Sequence, residues 1–252
     1  MVPTPPRSAA TVVLVRDAPL RVFLQRRVAG MDFAGGMTVF PGGRVDAGDR
    51  VERMDWAGPE PQWWAARFGC TSEEAGALVV AAVRETFEEC GVLLAGPDPV
   101  DEAARDDLVA RRRSLPEVLA GRTLRADLLS PWARWVTPEG EPRRYDTAFF
   151  VARLPEGQEA DARTTEAVEA TWWRPTEALE HAGRGLLQLM PPTRHTLEEI
   201  ADHSDAAAVL AAARNRTVPT HRPVLRREGE RATVVVPGRP ELRFDLDPGT
   251  LE

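Results

Sequence analysis

The chain reads as an α/β (α+β) protein, a mixed β-sheet between helices. Three observations predict this. Short β-branched or alternating runs recur at residues 9–15, 20–25, 132–136 and 145–153. Helically spaced stretches lie between them, the longest over 72–91. Glycine and proline clusters mark the transitions. With 252 residues, 43% hydrophobic and 28% charged, the chain is long enough for one globular core with an appended element.

Residues 1–8 read as a loose, proline-rich lead. Runs 9–15 and 20–25 form a hairpin around the turn 16–19. A short strand at 37–40 enters a glycine turn, Phe40-Pro41-Gly42-Gly43-Arg44-Val45-Asp46-Ala47-Gly48-Asp49. Residues 50–72 read as an insertion carrying Trp56, Trp63 and Trp64, with a helix over 61–68. Thr71 or Ser72, followed by Glu73 and Glu74, is an N-cap signature for the helix 72–91, and Gly91 fits its C-cap.

Residues 98–129 are helical and charged. An amphipathic helix spans 101–113, and 115–120 opens another with Pro116 in its first turn. Strands follow at 132–136, 145–153 and 170–174, the first two joined by a turn at 138–140. Helices open at 176–179, run from 192 or 193 to 200, and cover 206–213. Val224-Leu225 and residues 233–236, spaced by Gly229, read as a C-terminal β-hairpin that covers a sheet edge or joins a dimer interface. The expected division is a main domain at 9–205 and an extension at 206–252.

The chemistry concentrates in Arg84-Glu85-Thr86-Phe87-Glu88-Glu89-Cys90-Gly91-Val92. On a helix, Glu85, Glu88 and Glu89 fall on one face within about a 100° arc. Gly91 puts them in the last turn, where the helix dipole disfavours negative charge. A solvated acidic face would not be built against local stability in this way. Arg84 pairs with Glu88 one turn on but cannot neutralise three acids. Hard divalent cations with oxygen ligands, Mg²⁺ or Mn²⁺, would.

Together with the glycine turn, these residues resemble the Nudix box. Gly43 matches its opening glycine, and Asp49 falls where the family has Glu. Arg84, Glu85, Glu88, Glu89, Gly91 and Val92 match its second half. The chain departs from the pattern in three ways. Residues 50–83 replace a short spacer, Asp49 is one methylene shorter than Glu, and Thr86 replaces an aliphatic residue. A box split in this way is similar to the peroxisomal-type Nudix coenzyme A diphosphatases of animals and their actinobacterial relatives. The stretches 33–43, 132–138 and 144–150 carry the same resemblance, which covers roughly residues 8–200.

The resemblance implies a Nudix αβα sandwich with a mixed sheet, and a metal-dependent hydrolase that cleaves a diphosphate linking a nucleoside to another moiety. It makes Glu88 and Glu89 primary ligands of Mg²⁺ or Mn²⁺, with Glu85 a further ligand or the group acting on water. A backbone carbonyl at Gly42 or Gly43 completes the set, and Arg84 orients the acids with Asp49 as its partner. Gly42, Gly43, Asp49 and Gly91 shape the box. The base is open between Glu85 and a carboxylate before Trp172, where Glu166 and Glu169 stand i, i+3. Arg26, Arg27, Arg144 and Tyr145 are substrate-binding candidates, because guanidinium matches phosphate and a ring stacks on a base. Coenzyme A or an acyl-coenzyme A is the first substrate expected. ADP-ribose, NADH and a nucleoside triphosphate follow, and a non-catalytic nucleotide-binding regulator is the competing class.

The remaining features bound the partners. All basic residues are arginine, and the net charge of −7 argues against a general nucleic-acid surface. No run is apolar enough to span a membrane. Neither terminus carries a secretory or peroxisomal signal, so cytoplasm is expected. Cys70 and Cys90 make no disulfide framework, and Cys90 reads as a small core residue. His181, His195, His203 and His221 have no metal-ligand spacing. A homodimer through the C-terminal hairpin is an expectation.

Overall fold

The structure is a computed structural model and describes residues 4–31, 34–51, 54–96, 102–119, 121–164, 166–228 and 231–246. The chain opens with β1 (Arg7–Arg16), β2 (Arg21–Arg27), β3 (Thr38–Val39), β4 (Gly42–Arg44) and β5 (Trp56–Ala57). Four helices follow, α1 (Pro61–Phe68), α2 (Ser72–Cys90), α3 (Glu102–Val109) and α4 (Leu115–Val118). Then come β6 (Leu124–Arg125), β7 (Leu129–Val136), β8 (Tyr145–Arg153) and β9 (Ala167–Trp173). Helices α5 (Pro175–Gly183), α6 (Pro191–Ala201) and α7 (Ala206–Asn215) precede β10 (Thr220–His221), β11 (Val224–Glu228), β12 (Arg231–Val236) and β13 (Arg239–Leu246).

The main sheet runs β10-β7-β8-β1-β2-β3, with β4 added to β1 and β9 to β2. It is mixed, because β1–β8 and β7–β10 are parallel and the other pairs antiparallel. Strand β1 is apolar on both faces, as a central strand between two helical layers must be. Ala10, Val12 and Leu14 face a core shared with α1 and α2. Val13 and Val15 face a second core with Leu197 and Ile200 of α6 and Val209 of α7. The αβα sandwich expected from the sequence is what forms.

Helix α2 starts where the sequence signals it. Thr71 is its N-cap, and Thr71 Oγ1 accepts the Glu74 N–H at 3.2 Å. Gly91 ends it in the left-handed region, at φ 73°. The insertion packs into the first core. Trp64 and Phe68 of α1 are buried against Phe150, with ring centroids 5.5 and 5.1 Å away. Trp64 Nε1 donates to Pro59 O at 2.9 Å, so this tryptophan packs in the core and offers no stacking face.

Several boundaries differ from expectation. The lead is not loose to residue 8: Arg7 and Ser8 already pair with Tyr145 and Asp146 in the parallel β1–β8 ladder. Helix α3 stops at Val109, and Arg111 turns left-handed at φ 56°. Asp101 lies outside the described residues. Helix α4 ends at Val118, and Ala120 also lies outside. Strand β9 starts at Ala167 because it pairs along β2 as far as Arg27. The C-terminal hairpin is a three-stranded antiparallel sheet, β11-β12-β13, and its expected spacer Gly229 lies outside the described residues.

Candidate active site

The last two turns of α2 meet the glycine turn at β4. Arg84 is the hub. Its Nε and Nη2 donate to the two carboxylate oxygens of buried Asp49, each at 2.8 Å, a bidentate pair across the interrupted box. Nη2 also donates to Arg44 O at 2.8 Å. Nη1 reaches Glu85 Oε1 at 2.7 Å and Glu88 Oε2 at 3.4 Å. Burial alone would lower the Arg84 pKa, but Asp49, Glu85 and Glu88 carry it above the ordinary arginine value. Asp49 is short enough to need help, and the chain bends to supply it. The 3₁₀ turn Ala47–Asp49 lifts Asp49 toward Arg84, and the Asp46 N–H fixes Asp49 Oδ2 at 2.7 Å.

Glu85 lies against bare backbone. A Cβ on Gly43 would stand 2.5–2.7 Å from the three atoms of the Glu85 carboxylate, so the carboxylate can rest where it does only beside a residue without a side chain. Glu89 points to the sheet. Its Oε2 accepts the Gly42 N–H at 2.7 Å and Gln25 Nε2 at 2.5 Å. A Cβ on Gly42 would collide with Ala10 O and Thr11 Cα, so this glycine is required by the β1–β4 pairing itself. Burial raises the pKa of Glu85, and Glu88 adds to it. Burial also raises Glu89, with Glu85 adding repulsion, and raises Glu88. Three carboxylates held above their usual range are poised for a cation to favour their charged form.

The buried helix end has its own support. Gly91 N–H closes on Phe87 O at 3.0 Å, and Asp161 N–H on Cys90 O at 3.0 Å. Arg105 Nε donates to Glu88 O at 3.1 Å, and Arg105 Nη1 clasps Asp161 at 2.7 and 2.9 Å. A cation from α3 thus sits where the helix dipole is negative, offsetting the crowding of acids there. Thr86 Oγ1 donates back to Ala82 O at 2.7 Å, which satisfies the hydroxyl that stands in place of an aliphatic residue. Cys90 is buried with its thiol pushed up to about 12, a core residue and not a nucleophile.

The donor set fits a hard divalent cation: all oxygen, anionic and fixed by backbone and arginine. Among the described residues, no three acidic, histidine or cysteine side chains are gathered closely enough to hold a metal ion as they stand. Arg84 Nη1 bridges Glu85 and Glu88 in the space between them. The hydrogen bonds described here engage one oxygen of each carboxylate, Glu85 Oε1, Glu88 Oε2 and Glu89 Oε2.

The other candidates fall into two groups. Arg26 and Arg27 end β2 and face β9 across the ladder, Arg26 Nη2 to Glu169 at 3.5 Å and Arg27 Nη2 to Glu166 at 3.3 Å. Glu166 and Glu169 therefore do not share a helical turn: Glu169 is within β9 and Glu166 just before it, because their backbone is claimed by β2. Arg27 and Glu166 both act electrostatically on Glu89, so this pair borders the acids. Arg144 is used structurally. Its Nε spans Thr137 O and Pro138 O at 3.2 and 3.1 Å, and its Nη1 binds Thr4 O at 2.7 Å. Tyr145 lines a cavity of about 600 Å³ on the opposite sheet face.

Sequence reasoning missed Gln25 and Arg105. Both carried a faint signal. Gln25 breaks the apolar run Val22-Phe23-Leu24, and Arg105 sits one turn before Leu108 on the buried stripe of α3.

A carboxylate-bearing helix seated on a glycine turn, beside a mixed sheet between helices, is the architecture of the Nudix hydrolases. A crystal structure of a NUDIX hydrolase from Alicyclobacillus acidocaldarius superposes with a TM-score of 0.69 at 28% identity, over 82% of this chain and 96% of that one. Residues 65–200 match the NUDT19 Nudix domain, and the chain belongs to that family. A putative nudix hydrolase 7 of Caenorhabditis elegans is 30% identical over 205 residues, 79% of this chain. The acyl-coenzyme A diphosphatase NUDT19 of Homo sapiens is 30% identical over 229 residues, 72% of this chain. The chain spans 62% of the nematode protein's length and 60% of the human one's. Among the described residues no helix is long and apolar enough to cross a membrane.

Proposed function

We propose that the protein hydrolyses a diphosphate linkage with the help of Mg²⁺ or Mn²⁺, and that coenzyme A or an acyl-coenzyme A is its substrate. The observation that carries the reading is the triad Glu85, Glu88 and Glu89: Arg84 holds the first two, Glu85 packs on the bare backbone of Gly43, and Gln25 and the Gly42 N–H hold Glu89. Similarity to the acyl-coenzyme A diphosphatases NUDT19 of Xenopus laevis and Homo sapiens supports the substrate.

Glu88 and Glu89 would hold the cation, with Glu85 and a carbonyl at Gly42 or Gly43 completing the donors. A divalent cation supplies charge neutralisation on the phosphoryl oxygens. The chain does the rest. Arg84, tied to Asp49, keeps Glu85 and Glu88 on one side of the substrate. Gln25 and the Gly42 N–H fix Glu89. Arg27, on the border of the acids, presents a guanidinium to a phosphate. Water attacks one phosphorus, the bridging P–O bond breaks, and a carboxylate takes the proton. Glu166 is half exposed and adjoins the acids, and Glu85 is the other candidate base.

The test is product analysis by mass spectrometry after incubation with coenzyme A, acyl-coenzyme A, ADP-ribose, NADH and deoxynucleoside triphosphates, with Mg²⁺ or Mn²⁺. A Glu88→Gln control runs alongside. Release of 3′,5′-ADP and a phosphopantetheine product, lost in the control, is the expected result. Much faster cleavage of another member removes the coenzyme A reading. Binding without turnover under either metal favours a nucleotide-binding regulator.

A further inference from the structure

Gln25 stands where the apolar run Val22-Phe23-Leu24 of β2 ends, yet it is only 1% exposed. Its ladder partners are Val39 of β3 and Ala170 of β9. Alternation puts it on the same face as Phe23, which packs in the core shared with α2. A buried amide costs stability unless both of its ends are bonded. One end is: Nε2 donates to Glu89 Oε2 at 2.5 Å. The other end, Oε1, is buried and has no hydrogen-bond partner among the described residues. The two ends of one amide lie about 2.2 Å apart, so Gln25 Oε1 stands within about 5 Å of Glu89 Oε2. An acceptor is therefore held open beside the acids.

The effect on Glu89 is one-sided. Its Oε2 accepts both the Gln25 amide and the Gly42 N–H, the latter at 2.7 Å. Two donors use both lone pairs of that oxygen. Among the described residues no hydrogen bond engages Glu89 Oε1. A cation therefore meets Glu89 through one oxygen. That bears on which cation fits. Ca²⁺ gathers more oxygens at longer range, often two from one carboxylate. Mg²⁺ is smaller, demands octahedral geometry and keeps several of its waters.

Resting on the metal-dependent reading above, we propose that Gln25 is a positioning residue that selects a small, hydrated cation over Ca²⁺. Its Nε2 keeps Glu89 a one-oxygen ligand. Its Oε1 accepts a hydrogen from a water that such a cation retains. Both ends of one amide thus favour the same ion, although Gln25 is not itself a ligand.

The experiment titrates Mn²⁺ into the full chain without substrate, follows it by electron paramagnetic resonance, and then displaces it with Mg²⁺ or Ca²⁺. The parent is expected to release Mn²⁺ to Mg²⁺ far more readily than to Ca²⁺. Outer-shell partners of a metal ligand are worth about 10–100-fold in affinity. In Gln25→Met, which keeps the length of the side chain but neither polar end, the Kd for Mn²⁺ and Mg²⁺ should rise at least about tenfold and that for Ca²⁺ less than about threefold. Gln25→Thr suits a strand and is too short to reach Glu89, so it should do the same and covers the case in which the methionine variant does not fold. Equal changes for all three cations overturn the proposal, because a merely loosened site moves them together. Displacement from the parent by Ca²⁺ as readily as by Mg²⁺ also overturns it, while metal dependence stands. A parent that binds no Mn²⁺ removes the metal-dependent reading itself, and the proposal with it.

Discussion

Replacing Gly43 with alanine tests the contact that distinguishes this helix from an ordinary acidic one. The new Cβ would stand 2.5, 2.6 and 2.7 Å from Oε1, Cδ and Oε2 of Glu85, where ordinary contact begins at 3.4 Å. The nearest carboxylate oxygen must retreat by about 0.9 Å. It is the free end of a flexible side chain, so the fold can absorb the change. The 2.7 Å bond from Arg84 to Glu85 cannot survive that shift unaltered. Misplacing a catalytic group by about 1 Å costs on the order of 100-fold. The expected outcome is a kcat lowered roughly 100-fold on the best substrate, with a thermal midpoint within about 3 °C of the parent. Gly42→Ala provides the contrast. Its Cβ meets backbone at Ala10 and Thr11, so it should lose stability together with activity. Gly43→Ala with activity within a factor of about three of the parent would refute the close-packing argument.

Other predictions follow from the same contacts. Asp49→Ala leaves the Arg84 guanidinium buried without its bidentate partner, and urea unfolding should show a loss of about 3 kcal/mol. Arg105→Met removes the bonds to Glu88 O and Asp161, and should cost about 1–2 kcal/mol in the same assay. His221 is buried beside His195, and burial first and that neighbour second lower its pKa from 6.5 to about 4. The unfolded chain therefore binds more protons between those values. Stability is complete above pH 6.5 and drains as pH falls toward 4, by up to about 3 kcal/mol. Replacing His221 with phenylalanine should flatten that acid limb in thermal melts taken across the range.

The site residues closest in sequence were the most legible. A helix fixes the relation of Glu85, Glu88 and Glu89 by geometry, and Gly91 fixes its end. The Asp49–Arg84 pair was legible for a different reason: two halves of one recognised pattern must meet, whatever lies between. Gln25 and Arg105 were not legible, because their partners are set by tertiary packing and lie 64 and 17 positions away. Glu166 and Glu169 stand i, i+3, a spacing that suits a helical turn, yet they lie at the start of a strand. Local spacing cannot reveal that β2 would claim their backbone. The third strand of the C-terminal sheet does carry a local signal, the alternation Leu242-Arg243-Phe244-Asp245-Leu246, with Pro240 at its start as the one residue that argues against a strand. That sheet turned out to wall a cavity, a role that no local pattern could announce.

The interrupted box has a consequence for how such chains can vary. Asp49 and Arg84 stand one hydrogen bond apart, so residues 50–83 leave and return at nearly the same point. In polymer terms they are a closed loop, and doubling the length of a flexible loop costs only about 0.6 kcal/mol. The two ends need only keep their appointment at Arg84. Helices α1 and α2 are fixed by the core, so the freedom in length belongs to the exposed stretch before α1, and a foreign segment spliced in around Arg50 should leave the clasp intact.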